Sequence, residues 1–147
     1  MKLKPTVVAV CLFAGLMLNA CARPDLETQT REAYRLYQEE QYAAAAQEFE
    51  NLLEHIPRDA ELWFRLGNAY TRSKQPQRAI TAYENAIMRD PRLTRAWYNK
   101  GIVHLQQGLK TFVDMPEYVD AADPVARRGI QKRDQLLEIL APSAPED

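Results

Sequence analysis

Glycine is scarce in this chain, with five residues in 147. A β-rich fold full of tight turns needs more backbone freedom than that. No glycine cluster is available to cradle a phosphate in a loop of backbone N–H groups. Histidine and cysteine are rarer still, two of each. Cys11, Cys21, His55 and His104 fall in no pattern with metal-ligand spacing. No pair of carboxylates is singled out for acid–base chemistry. We therefore expect no catalytic residues, no metal and no cofactor. The formal charge of −1 leaves no basic stripe for nucleic acid. The longest apolar run, Val7 to Leu18, falls short of the roughly 20 residues that a membrane span needs.

What the chain does have is abundant Ala, Glu, Gln, Arg and Leu, a composition that favours helix. Its start, "MKLKPTVVAVCLFAGLMLNAC", places Lys2 and Lys4 before the apolar run and small residues after it. That is the anatomy of a secretory signal peptide. One reading is a plain signal cleaved after Ala20 or Ala22. The other rests on Leu18-Asn19-Ala20-Cys21, which resembles a bacterial lipobox. The resemblance implies a lipoprotein signal peptide over 1–20, a diacylglyceryl group on the Cys21 thiol, cleavage before that cysteine and N-acylation. Cys11 would be lost with the signal, leaving one cysteine that cannot form an internal disulfide. Two or three acyl chains would anchor the protein stably to a membrane. Ala22 after the cysteine, rather than Asp, implies the outer membrane, facing the periplasm.

The body of the chain repeats itself. "WFRLGNAY" at 63–70 returns as "WYNKGIVH" at 97–104, a period of 34. In that register Ala33, Gly67 and Gly101 share a column. Leu36, Tyr70 and His104 share another. Ala45 aligns with Ala79, Phe49 with Tyr83, Leu52 with Ala86 and Pro57 with Pro91. Trp63, Leu66, Gly67, Tyr70, Ala79, Tyr83, Ala86 and Pro91 together resemble the tetratricopeptide repeat at each signature position. The expected fold is all-α, with helical hairpins stacked as a short right-handed solenoid. Small residues at 67, 79 and 86 would let paired helices approach, and Trp63, Tyr70 and Tyr83 would fill the space beside them.

The tetratricopeptide-repeat domain is expected over 21–140. Repeats span about 26–59, 60–93 and a degenerate 94–123, followed by a capping helix over 124–140 and a disordered tail over 141–147. In the central repeat one helix runs from Ala60 to Arg72. Ser73-Lys74-Gln75 then turns the chain, and Pro76 opens a second helix that Asp90-Pro91 ends. In the third, Lys100 and Val113 replace the usual Leu and Ala, and a long helix from about Leu93 to Val113 is expected instead of a pair. Asp123-Pro124 starts the cap, whose Val125, Ile130, Leu136, Leu137, Ile139 and Leu140 would cover the stack.

In this family, first helices line the concave side of the stack. The pattern then points Tyr34 and Tyr37, Phe64, Arg65, Asn68 and Thr71, and Arg95, Tyr98, Asn99 and Ile102 into a groove. Aromatics supply area, Asn can pair with peptide backbone and Arg can take a carboxylate. A protein or peptide partner is expected there, with the convex face or the end helix as the alternative surface. Asn68 and Asn99 match two positions of a known carboxylate clamp, but Phe64 stands where that clamp has Lys, so a terminal-carboxylate receptor is not expected. His104 is expected to pack in the core and His55 to lie exposed at a helix end. The resemblance implies a non-enzymatic scaffold. It would assemble an envelope machine such as a pilus, secretion or polysaccharide-export apparatus, or alternatively regulate an envelope protease or cell-wall hydrolase.

Overall fold

A computed structural model describes residues 25–141. The expected signal peptide over 1–20, Cys21 and residues 142–147 of the expected tail lie outside the described residues. Those described form α1 (Leu26–Gln38), α2 (Tyr42–His55), α3 (Ala60–Arg72), α4 (Pro76–Arg89), α5 (Thr94–Asp114), a short 3-10 turn (Met115–Glu117) and α6 (Pro124–Leu140). Three starts carry side-chain caps. Asp25 accepts from the Thr28 N–H, Asp59 from Leu62, and Asp123 from Val125 and Ala126. Each satisfies amide donors that a helix start leaves free. Pro76 and Pro124 open helices where a missing N–H costs nothing.

The first two hairpins turn in the same way. Glu40 and Lys74, 34 positions apart, both take left-handed backbone, with φ of 61° and 60°. At each turn two amides reach back to the helix end. Gln41 bonds the Leu36 carbonyl and Glu40 that of Tyr37; Gln75 bonds Tyr70 and Lys74 bonds Thr71. This is the Schellman closure, and glycine is its usual left-handed residue.

α1 packs on α2, α3 on both α2 and α4, α5 on α4, and α6 on α5. Alanines hold the close approaches: Ala33, Ala45, Ala79 and Ala86 are fully buried. Phe49, Leu52, Tyr70 and Tyr83 fill the space between. Gly67 sits where a Cβ would lie 2.5 Å from the Tyr83 ring, closer than any carbon contact allows. The helix penalty of about 1 kcal/mol for glycine is therefore offset by the ring that takes its place, worth about 1.5–3 kcal/mol once buried. Trp63 and Trp97 occupy equivalent places, their indole N–H groups donating to the carbonyls of Pro57 and Pro91.

The third unit departs from the expected packing. α5 runs on to Asp114 as the long helix expected, but α6 packs on it without covering the inward column, which opens to water. No atom lies within 4 Å of a Cβ built on Gly101, and Trp97 is 52 % exposed. His104, expected in the core, is exposed. Trp63 is only partly buried and packs against the core's edge. The covering face of α6 is also rotated from the one expected. Ala126 and Gly129 are buried, with Ile130, Leu136 and Leu140 half-buried along the same stripe, while Val125, Leu137 and Ile139 are exposed. Small residues again win the contact: a Cβ on Gly129 would collide with the Met115 side chain.

Candidate functional site: a groove along the first helices

The first helices of all three units border one cavity of about 690 Å³. α1 contributes Tyr37; α3 contributes Asn68, Thr71 and Arg72; α5 contributes Tyr98, Asn99, Ile102, Val103 and Gln106. Tyr83 reaches the floor from α4, and Ile139, Leu140 and Ala141 form a wall at the end of α6. Six of the ten residues expected in a groove therefore meet here: Tyr37, Asn68, Thr71, Tyr98, Asn99 and Ile102.

A hydrogen-bond network orders the floor. Asn68 Oδ1 accepts from the Tyr83 hydroxyl at 2.8 Å and from Asn99 Nδ2 at 2.8 Å. Thr71 Oγ1 lies 3.0 Å from the same hydroxyl and donates to the Gly67 carbonyl at 2.9 Å. Burial pushes the Tyr83 phenol above its ordinary pKa, outweighing the bonds from Thr71 and Asn99. The phenol thus stays a donor at neutral pH and holds the Asn68 amide in one orientation. Among the described residues no side chain engages Asn68 Nδ2 or Asn99 Oδ1. The groove lining thereby keeps an amide NH2 and an amide oxygen available, the two group types that a peptide backbone can pair with.

Four expected groove residues form a separate layer. Phe64 is 5 % exposed and packs against Tyr83, so it belongs to the core and presents no free face. It lies near the interface of α3 with α5, where the Arg95 guanidinium covers it at 4.7 Å. Tyr34 stands edge-on to Phe49 and beneath Arg65. Arg65 and Arg95 both pair with Glu61, the first at 2.8 Å, so the two guanidinium groups share one carboxylate of the chain. Arg72 stacks over Tyr42 at 4.9 Å and donates to its hydroxyl at 2.7 Å.

Arg72, Val103 and Gln106 were not singled out from sequence. Gln106 continues the Tyr98–Ile102 stripe at helical spacing, a signal visible only once α5 is known to be long. The wall supplied by α6 had no local signal. Among the described residues no group of three or more His, Cys, Asp or Glu could hold a metal, and no helix is long and apolar enough to cross a membrane.

Comparison with known proteins agrees with this geometry. Residues 36–97 and 72–135 match two sequence profiles of the tetratricopeptide repeat. The general transcriptional corepressor ssn6 of Schizosaccharomyces pombe is 31 % identical over 71 residues, 47 % of this chain and 6 % of that protein. The peroxisomal targeting signal receptor of Candida albicans is 32 % identical over 101 residues, 69 % of this chain and 17 % of the receptor. The chain thus spans a small part of the curated relatives it matches. Among solved structures, the Yersinia enterocolitica type III secretion chaperone SycD, in complex with a peptide of the translocator YopD, superposes with a TM-score of 0.56 at 20 % identity. That match covers 79 % of this chain and 95 % of SycD. The Sgt2 TPR domain from Aspergillus fumigatus gives 0.53 at 17 % identity, covering 85 % of this chain and 90 % of that domain. With the period of 34, the buried small-residue columns and the equivalent tryptophans, these matches establish that the hairpins of this chain are tetratricopeptide repeats.

Proposed function

We propose that the chain is a non-catalytic scaffold that holds a peptide segment of a partner protein in the groove of its first helices. The observation that carries this reading is the paired amide floor. Tyr83 holds Asn68, and Asn68 holds Asn99; both asparagines line a cavity flanked by the exposed Tyr98 ring and Ile102, with Asn68 Nδ2 and Asn99 Oδ1 left without a side-chain partner. An extended peptide matches that combination, with backbone hydrogen bonds at the floor and side chains on the apolar walls. A fold like that of SycD, crystallised with a translocator peptide, supports the same class of ligand. Co-purification with Asn68→Ala plus Asn99→Ala tests it: the partner is lost if the groove binds it. Retention of the partner would move recognition to the convex face or the end helix.

The N-terminal sequence supports a finer placement. Lys2 and Lys4, the apolar run and Leu18-Asn19-Ala20-Cys21 suit lipidation of Cys21 and anchoring at the periplasmic face of a bacterial outer membrane. There the scaffold would serve assembly of an envelope machine such as a pilus, secretion or polysaccharide-export system. In Cys21→Ser the protein should turn soluble or stay unprocessed. A processed, membrane-bound variant would end the lipid reading. An adaptor that regulates an envelope protease or cell-wall hydrolase would use the same groove, and is favoured if the captured partner is such an enzyme.

A further inference from the structure

We infer that the third unit takes an amphipathic helix of a partner protein on the face of α5 that the second helix of a hairpin would cover. Trp97, Gly101 and His104 form this face. None of the three borders the groove, and the surface does not depend on it. The repeat itself defines the occupant, because α4 covers the matching column of α3 one unit earlier. The Tyr83 ring fills the place of a Cβ on Gly67, and Ala79 and Ala86 are fully buried on either side of it. Arg89 stacks over Trp63 at 4.8 Å and donates from Nε to the Pro57 carbonyl, which also accepts from the Trp63 indole. In the first unit Ala45 and Phe49 of α2 hold the places of Ala79 and Tyr83, and both are fully buried.

The third unit repeats these receiving features and leaves them open. The place of a Cβ on Gly101 is empty, and Trp97 is half exposed. Among the described residues no guanidinium covers the Trp97 ring, and the Pro91 carbonyl accepts from the indole of Trp97 but from no arginine. Glu84, the counterpart of Glu50, is already met by Lys100 at 2.7 Å. The positions 34 beyond Tyr83, Ala86 and Arg89 carry Glu117, Asp120 and Asp123. Glu117 lies in the 3-10 turn, and Asp123 caps α6 instead. α6 itself docks through Gly129 on Met115 and Phe112, and its end walls the groove. The element that fits carries a small residue, an aromatic four positions on, a second small residue three further and an arginine three beyond that. This spacing sets all four on one helix face. The aromatic enters the gap at Gly101, while the arginine covers Trp97 and takes the open lone pair of the Pro91 carbonyl. Met88 stays free beside such a helix, as its counterpart Glu54 is exposed with α4 in place.

The probe is a dye-labelled synthetic peptide of residues 76–91, which carries the stripe as Ala79, Tyr83, Ala86 and Arg89. A staple between positions 84 and 88, both exposed on α4, supplies the helicity that so short a peptide lacks in water. Fluorescence anisotropy reads its binding to the purified full chain. Binding should saturate, and should weaken about tenfold or more in Gly101→Ala, where the new methyl meets the incoming ring. Trp97→Ala in the protein and Tyr83→Ala in the peptide should weaken it comparably. Gly101→Ala should unfold at a higher urea midpoint than the natural chain, which separates lost binding from lost folding. Asn68→Ala plus Asn99→Ala should leave the affinity unchanged. Absence of saturable binding, or binding indifferent to Gly101→Ala, would overturn the inference. Loss of binding in the asparagine pair would overturn it too, by placing the helix in the groove. So would a natural chain that sediments as a dimer while Gly101→Ala sediments as a monomer, since a second copy would then cover the face.

Discussion

Replacing Gly67 and Gly101 by alanine should change stability in opposite directions, although both stand in one column of the repeat. At Gly67 the new methyl would lie 2.5–2.6 Å from two carbons of the Tyr83 ring, about 1 Å inside ordinary contact. The ring cannot swing aside. It is 1 % exposed, lies against Phe64 and is tied by its hydroxyl to Asn68. Overpacking of this kind costs about 1–3 kcal/mol, and stretching the hydroxyl bond costs about 1 kcal/mol more. The gain in helix propensity returns about 1 kcal/mol. Gly67→Ala should therefore lose about 1–3 kcal/mol. At Gly101 nothing lies within 4 Å, and only the propensity term remains, so Gly101→Ala should gain up to about 1 kcal/mol. Urea unfolding followed by far-ultraviolet circular dichroism reads both. The midpoint should fall for the first and rise for the second, with slopes unchanged. Midpoints that move together would refute the account of what the glycine column does.

Alkaline stability gives a second test. Burial raises the pKa of Tyr37, Tyr70 and Tyr83 above 10.0, and at Tyr70 the hydrogen bond to Glu50 adds to that effect. The unfolded phenols ionise first, so stability should hold below about pH 10 and fall above it. Urea midpoints measured across that range should decline less steeply in Tyr70→Phe, and a slope unchanged by the substitution would contradict the assignment. At the second hairpin turn, Lys74→Gly should gain about 1 kcal/mol in thermal or urea unfolding, because glycine takes left-handed backbone without a Cβ clash. Asp123→Ala should cost about 1 kcal/mol through loss of the α6 cap, with hydrogen exchange rising first in Val125 and Ala126.

Most of the repeat was legible because packing columns leave marks at a fixed period. Ala33, Ala45, Ala79 and Ala86 must be small, and Pro57 and Pro91 must end helices, wherever the hairpin recurs. The helix limits at Ala60, Arg72, Pro76 and Arg89 follow from local chemistry and agree with the structure. The end of the array was less legible because the same residues sit in different surroundings there. Gly101, His104 and Trp97 keep their columns, but the helix that would cover them is missing. The periodicity of α6 could not tell which apolar stripe would face α5. The contact is decided by Gly129, which meets Met115 and Phe112, with Ala126 buried one turn before it, and small residues add little to an apolar pattern. In the groove, the stripe rule placed Asn68, Tyr98 and Asn99 together. It could not foresee that Phe64 would sink beneath Arg95, or that Glu61 would occupy both arginines.

The most direct test of the groove as the recognition surface is photo-crosslinking in cells from single sites. A crosslinking side chain at Tyr98, on the groove rim, is compared with one at Met88, 72 % exposed on the second helix of its hairpin. Partner adducts should form from position 98, be absent from position 88, and disappear from 98 when Asn68→Ala and Asn99→Ala are added. Adducts formed mainly from position 88, or adducts at 98 indifferent to the two asparagines, would contradict binding between the first helices.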